Sequence, residues 1–455
     1  MVRELIRTGN DIIPGPSGHF LFGNLREIQD NPLNFYLQLR RSFGDVVRLR
    51  LLPFYHAYLV FHPNGVDHVL QANQINYRKV TPANKAVEVF LGKGLLTSDE
   101  DIWRQHRSLT KPAFHPRHFP TLATTIIHYT ERMAESWRSS KVNGKVINLL
   151  PEMLHLALQI ASKTLFSIDI SEQVNSVAEA VGIAFEHVGY CLTHPFMLPK
   201  FIPTSRNRRF QQAKHTLDEF VTNIIKKRRA TGSDSADLLS LLLTEDNQTA
   251  LNDQQLRDEA ITFLTAGYET TAVALSWTWY LLAKHPDIQK RLQQELTQVL
   301  NGRTATFEDL QRLHYTKMVF EETLRLYPPA WTMLPRMAIK DDIIDGFHIP
   351  AGSIVSVSQY VTHRHPDFWS KPAEFNPDHF TPEHSAHRHP YAYFPFGGGA
   401  RQCIGKHFAL IEAQLIIATL AQRFEFKLIA DHPIELDPAF ALKPRHGIMV
   451  YCISR

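Results

Sequence analysis

The sequence predicts a mainly α-helical fold with small β-sheets at its edge, in one domain spanning 1–455. Three observations predict it. From about Asp99 to Ala283 apolar residues recur three and four apart, the spacing of one helix face. Period-two alternation is confined to short runs, such as Asp45 to Leu51 and His56 to Phe61. No internal repeat and no low-complexity linker marks a boundary.

The elements follow in order. Pro14-Gly15-Pro16-Ser17-Gly18 is a stiff, turn-rich segment. Helices are expected at Asn31 to Phe43 and Asn64 to Ala72, flanking two strands joined by a turn at Leu52-Pro53. Helical faces then run over Leu122 to Trp137, Met153 to Phe166, Val174 to Val188 and Phe210 to Lys227, with a polar break at 231–235. Asp253 to Lys284 reads as one helix about 48 Å long at 1.5 Å per residue. Asn252-Asp253 cap it, and it is apolar nearly all round from Ala260 to Leu282, so it belongs in the middle of the molecule. Two more helices follow Pro286. Strands are expected at Thr332 to Ala338, Gly346 to Ile349 and Ile354 to Tyr360. A coil at Pro372 to Pro395 and a glycine-rich loop lead to a helix from about Gly405 to Phe424 and a strand-like end.

Apolar residues make up 44% and charged residues 21%, which excludes a disordered chain. The formal charge of +4 is small and dispersed, which argues against a nucleic-acid partner, and Lys226-Lys227-Arg228-Arg229 reads as a solvated helix face. Three distant cysteines, Cys191, Cys403 and Cys452, make no disulfide framework and fit a reducing cytoplasm. No run of about 18 apolar residues is present, so the expectation is a soluble, cytoplasmic monomer without a membrane span.

The most informative residues are Phe396-Gly397-Gly398-Gly399-Ala400-Arg401-Gln402-Cys403-Ile404-Gly405. A thiolate that binds iron needs backbone N–H groups aimed at its sulfur, close approach of a flat cofactor, and shielding from water. A glycine-rich turn before a helix N-terminus gives the first two, and Phe396 can give the third. Arg401 is a cation for cofactor carboxylates. The loop alone also admits a glycine turn around a buried cysteine, and a phosphate-cradling loop, although the Lys-Ser/Thr of a nucleotide loop is missing.

The pattern Phe-x-x-Gly-x-Arg-x-Cys-x-Gly, matched at every fixed position, resembles the cytochrome P-450 family, and further motifs follow in the family's order. The resemblance implies the cytochrome P-450 fold, with non-covalent haem b held between the long central helix and the loop of Cys403, the iron's axial ligand. Trp103 and Arg107 look like the family's Trp-x-x-x-Arg helix for the haem propionates, with Arg336 and Arg401 as further partners. Ala266-Gly267-Tyr268-Glu269-Thr270-Thr271 resembles the oxygen-activating motif. It implies that Gly267 opens the helix beside the haem, that Thr270 hydrogen-bonds oxygen or water, and that Glu269 feeds protons. Ala266 stands where some relatives carry a haem-linking Glu. Glu322 and Arg325 resemble the family's buried pair, whose third member is usually Arg; here it is His379, which implies a weaker, acid-favoured triad.

The implied activity is insertion of one oxygen atom from O2 into a C–H bond of a lipophilic substrate. No flavin, nicotinamide or iron–sulfur fingerprint is visible, so a separate ferredoxin or flavodoxin, ultimately NAD(P)H-dependent, is implied. By family position the pocket draws on the 85–96 loop, Phe263, Ala266, Ala330, Trp331, Leu334 and Phe440. Their apolar character, without an Arg or Lys to anchor a carboxylate, leans toward a terpenoid or other neutral lipid such as a carotenoid or steroid over a fatty acid. Peroxide-driven chemistry, or a non-catalytic haem sensor or lipid carrier, are the alternatives, and the Glu269-Thr270 pair argues against the former. His384-x-x-His387-x-His389 reads as proline-flanked surface histidines rather than a metal site.

Overall fold

A computed structural model describes residues 13–52, 55–139, 144–194, 202–232, 237–243 and 251–455. Helices dominate, and the sheets are small and peripheral. The largest sheet has five strands in the order Val46–Leu52, Tyr55–Val60, Ile354–Val357, Arg336–Ala338 and Tyr77–Arg78. A three-stranded sheet joins Val146–Asn148 and Phe424–Leu428 through Met449–Ser454. Two hairpins, Asp342–Ile344 with Phe347–Ile349 and Leu436–Pro438 with Leu442–Pro444, complete the β structure.

The expected central helix forms as Asp253–Lys284. Its start is a capping box: the Asn252 side chain accepts from Gln255 N–H at 2.9 Å, and the Gln255 side chain accepts from Asn252 N–H at 3.0 Å. Helices Leu149–Phe166, His314–Leu326 and Lys406–Ala421 pack around it, so its apolar circumference is buried on nearly every side.

Some elements differ from expectation. The helix at 64–72 is α over Pro63–Asp67 and then widens into a π turn, His68–Ala72, closed by Asn73 N–H to His68 O at 2.9 Å. Residues 332–335 do not join the strand Arg336–Ala338, and Gln359–Thr362 turns into a short helix instead of prolonging Ile354–Val357. The 85–96 stretch is mostly helix, Pro82–Leu91, started by Thr81 as N-cap with Pro82 in the first turn. The expected turn at Leu52-Pro53 and the break at 231–235 fall largely outside the described residues.

Candidate active site

The central helix is buried at every position from Leu256 to Leu282 except three, Ala266, Gly267 and Thr270. Ala266 and Thr270 are open to solvent-sized access in the middle of a wrapped helix. Residues four apart share a face, so this face borders an internal cavity. Thr270 Oγ1 donates to Ala266 O at 2.9 Å, which orients the hydroxyl. Gly267 departs from expectation: the helix runs unbroken past it, and a Cβ there would point at Leu165 Cδ1, 3.5 Å away. The glycine is turned toward the neighbouring helix, and no opening of the ladder surrounds it.

The cysteine loop is held open by short links. Gly397 N–H donates to Phe394 O and Cys403 N–H to Phe396 O, each at 2.9 Å. Gly399 has φ +64°, and a Cβ on it would lie 1.9 Å from Leu70 O in the π turn. Only glycine fits so close an approach. Cys403 is surrounded by protein yet reachable from within, as a residue lining a cavity must be. Burial pushes its thiol up, while the Gly405 N–H and the cations Arg107 and Lys406 oppose that shift. Phe114 stands between loop and helix. Its ring stacks 5.7 Å from that of Phe263 and lies 3.9 Å from where a Gly405 Cβ would be. Central helix and cysteine loop therefore flank one space.

Cations crowd one side of it. Trp103 and Arg107 lie one turn apart on Glu100–Thr110. Arg401 sits 4.5 Å over the Trp103 ring, donates to Ser98 O at 3.0 Å and pairs with Asp99. Arg78 bonds the same carboxylate at 2.6 Å, and burial of Asp99 is outweighed by these partners, so its carboxyl stays low. Arg336 is buried; Nη1 donates to Val69 O at 3.2 Å, and Nη2 has no partner among the described residues. Burial and the neighbouring Arg401 pull Arg336 down to about 10. Lys79 is pulled well down by burial and by Arg401 and Arg336. Positive charge exceeds the one shared acid, and a buried N–H is unmet, so this corner is built to receive carboxylates. A flat dicarboxylate cofactor with an iron for the thiol fits the donor set.

Glu269 is not free in the cavity. Its carboxylate is buried and paired with Lys443 of the C-terminal hairpin. Glu322 and Arg325 are fully out of solvent and joined by two bonds, Nε to Oε2 at 2.7 Å and Nη2 to Oε1 at 2.8 Å. His379 Nδ1 lies 3.1 Å from Glu322 Oε1, and its Nε2 lies 2.9 Å from Ser370 O. Both ring nitrogens thus have partners, and the imidazole ties Glu322 to the turn at Ser370. Arg388 adds a second cation nearby: it stacks 3.9 Å over Trp369 and donates to His379 O.

Of the expected pocket residues, Phe440 stacks 4.4 Å on Phe185, which meets Phe90 edge-on at 5.4 Å. Leu334 and Ala330 are part-buried. The Trp331 ring lies 5.7 Å from that of Tyr36, in the apolar core against the five-stranded sheet. Phe263 is turned to Phe114, as noted. His384 and His389 are engaged locally, with Asp378 O and Tyr391 N–H, and no cluster of metal-ligating side chains occurs among the described residues. Lys79, Lys443 and Arg388 were not singled out from sequence. Each sits in a basic, turn-rich stretch that reads like surface.

Comparisons with known proteins agree with this architecture. The sequence profile of the family described as cytochrome P450 matches residues 13–450. The chain is 34% identical over 432 residues to a cyclooctatin synthase of Streptomyces melanosporofaciens, covering 94% of this chain and 92% of that one. It is 33% identical over 411 residues to a cyclooctat-9-en-7-ol 5-monooxygenase of the same organism, covering 90% and 88%. It is 30% identical over 414 residues to a pentalenene oxygenase of Streptomyces avermitilis, covering 90% of each. The crystal structure of the cytochrome P450DA heme domain superposes with a TM-score of 0.87 at 27% identity, covering 97% of this chain and 98% of that one. Among the described residues no helix is long and apolar enough to cross a membrane. The chain belongs to the cytochrome P450 family and is a haem-dependent monooxygenase.

Proposed function

We propose that this protein hydroxylates a neutral, lipophilic terpenoid, acting as one haem domain that takes electrons from a separate ferredoxin- or flavodoxin-type donor reduced by NAD(P)H. The observation that carries the reading is the single break in burial along the central helix, at Ala266 and Thr270, facing the space bordered by Cys403. Cys403 would hold the iron through its thiolate, covered by Phe396. Arg336 Nη2, Trp103, Arg107 and Arg401 would hold the haem carboxylates, and Glu322, Arg325 and His379 would brace the coil before the loop. Haem, when bound, supplies dioxygen activation and the oxidation of an unactivated C–H bond.

The chain's own part is proton supply and exclusion of water. Thr270 presents a hydroxyl, oriented by Ala266 O, to the cavity. Glu269, next in sequence and paired outward with Lys443, is the acid that replenishes it. Phe440, stacked on Phe185, provides an aromatic wall, and Leu334, Ala330 and Ala266 an aliphatic one. None of these anchors a carboxylate. The relatives named for cyclooctatin, cyclooctat-9-en-7-ol and pentalenene support a terpenoid over a fatty acid.

The test is a spin-state titration of the haem protein against neutral diterpenes, sesquiterpenes and fatty acids of matched carbon number. Terpenes should give the low-to-high-spin shift at lower concentration. A response confined to the fatty acids would overturn the terpenoid assignment.

A further inference from the structure

The chain approaches Cys403 through a short 3₁₀ turn, Gly399–Arg401, whose N-cap is Gly398. The first N–H groups of such a turn find no partner inside it, and an N-cap side chain normally accepts one of them. Glycine has no side chain to offer, so this turn does not cap itself. The cap comes from two other segments. Gly399 N–H donates to the Tyr391 hydroxyl at 3.1 Å, and Ala400 N–H donates to Gln74 Oε1 at 3.0 Å. The arrangement also explains the glycine at the N-cap, because a Cβ at 398 would lie 2.3 Å from Tyr391 Cε1.

Both capping groups are tied to the π turn His68–Ala72. Tyr391 is buried, and its hydroxyl donates to Gln71 Oε1 at 2.9 Å while it accepts from Gly399. One oxygen thus serves as acceptor toward the loop and donor toward the π turn. Gln74 follows that turn directly after Asn73. The far side of the turn is anchored on Asp342: His68 Nε2 lies 2.8 Å from Oδ2, and Asn73 Nδ2 donates to the same oxygen at 3.0 Å. We propose that Tyr391 and Gln74 are positioning residues for the Cys403 thiolate: by capping the turn before it they hold the loop where the sulfur can bind iron. The proposal rests on the reading of Cys403 as the iron ligand. Without the caps the Gly399 and Ala400 N–H groups must find other acceptors, and the loop must shift to reach them.

Three variants of the haem-loaded protein test this: Tyr391→Phe, Gln74→Leu and Gln74→Glu, the last of which keeps an acceptor for the Ala400 N–H. The first readout is the lifetime of the long-wavelength Soret band of reduced, carbon monoxide-bound protein at one fixed temperature. Tyr391→Phe and Gln74→Leu should lose the band about tenfold faster than wild type, and Gln74→Glu at the wild-type rate. The second is electron paramagnetic resonance of the ferric low-spin haem. Tyr391→Phe and Gln74→Leu should add a second set of g values, and Gln74→Glu should show the wild-type set alone. Wild-type lifetimes and a single set of g values in Tyr391→Phe and Gln74→Leu would refute the positioning role. So would a shorter lifetime with unchanged g values and earlier unfolding in denaturant, since that is a loss of general stability. A wild-type protein without the long-wavelength band would instead remove Cys403 as the ligand, and the positioning role with it.

Discussion

His106 Nδ1 stands 2.5 Å from Glu259 Oε1, with both side chains wholly out of solvent. The contact joins the helix that carries Trp103 and Arg107 to the central helix that carries Thr270, so the two walls of the haem site share one buried polar tie. Burial pushes the Glu259 carboxyl up, and His106 opposes the shift. Neither group is safely removed alone. His106→Leu leaves a buried acid without its partner and should cost about 3–5 kcal/mol in denaturant unfolding. Replacing both by leucine should recover most of that loss, because an apolar pair needs no partner. Equal losses in single and double variants would show that packing, and not the polar tie, matters there.

A second buried acid, Glu412, lies on the helix that follows the cysteine loop. Neither carboxyl oxygen has a well-formed hydrogen bond among the described residues. The nearest hydroxyl, Thr271, opposes the shift, but burial pushes the carboxyl far above the usual range. The sign follows directly. Above the ordinary Glu pKa of about 4.3 the unfolded chain has released this proton while the folded protein keeps it. Stability is therefore lost as pH rises through that window, by about 1.4 kcal/mol per pH unit. Glu412→Gln removes the dependence. Its stability advantage over the wild type should grow as pH rises above that ordinary value of about 4.3, measured by denaturant unfolding. A constant difference would mean that Glu412 ionises in place.

The buried acids Glu259 and Glu269 mark the limit of what sequence reveals here. The loop at 396–405, the central helix and the Glu322/Arg325 pair are legible because each carries its constraint within a few residues: glycines at a close approach, a cap before an apolar run, an i, i+3 spacing. His106 with Glu259, and Glu269 with Lys443, are contacts between distant segments, and a lone His or Lys carries no mark of its partner. Trp331 shows how packing adds to what spacing implies. Family position implies the pocket for it, and only the fold shows that its ring also packs 5.7 Å from that of Tyr36, a contact between distant segments. The helix Pro82–Leu91 was open to reading, since Thr81-Pro82 followed by Asn84 is a capping signal.

The thiolate-ligand assignment is tested at Cys403. Reduced, carbon monoxide-bound protein should show the long-wavelength Soret band of a thiolate ligand, and Cys403→Ser should lose it. Cys452 is a control, since it is buried in the three-stranded sheet and burial pushes its thiol up to about 12. Cys452→Ser should keep the band. If Cys403→Ser retained it, another residue would be the ligand.

Arg336 yields a prediction of opposite signs in two preparations. Its guanidinium is buried, repelled by Arg401 and one donor short of a partner. In protein prepared without haem, Arg336→Leu removes that burden and should raise stability, by about 1–3 kcal/mol less the single bond to Val69 O. In haem-loaded protein the same change removes a carboxylate partner, so haem should dissociate faster and the stabilisation that haem confers should shrink by linkage. Transfer of haem to apomyoglobin measures the first effect, and paired denaturant curves measure the second. A haem-free variant less stable than wild type would mean that Arg336 is satisfied by the fold itself, and a haem-loss rate that did not change would remove it from the cofactor site.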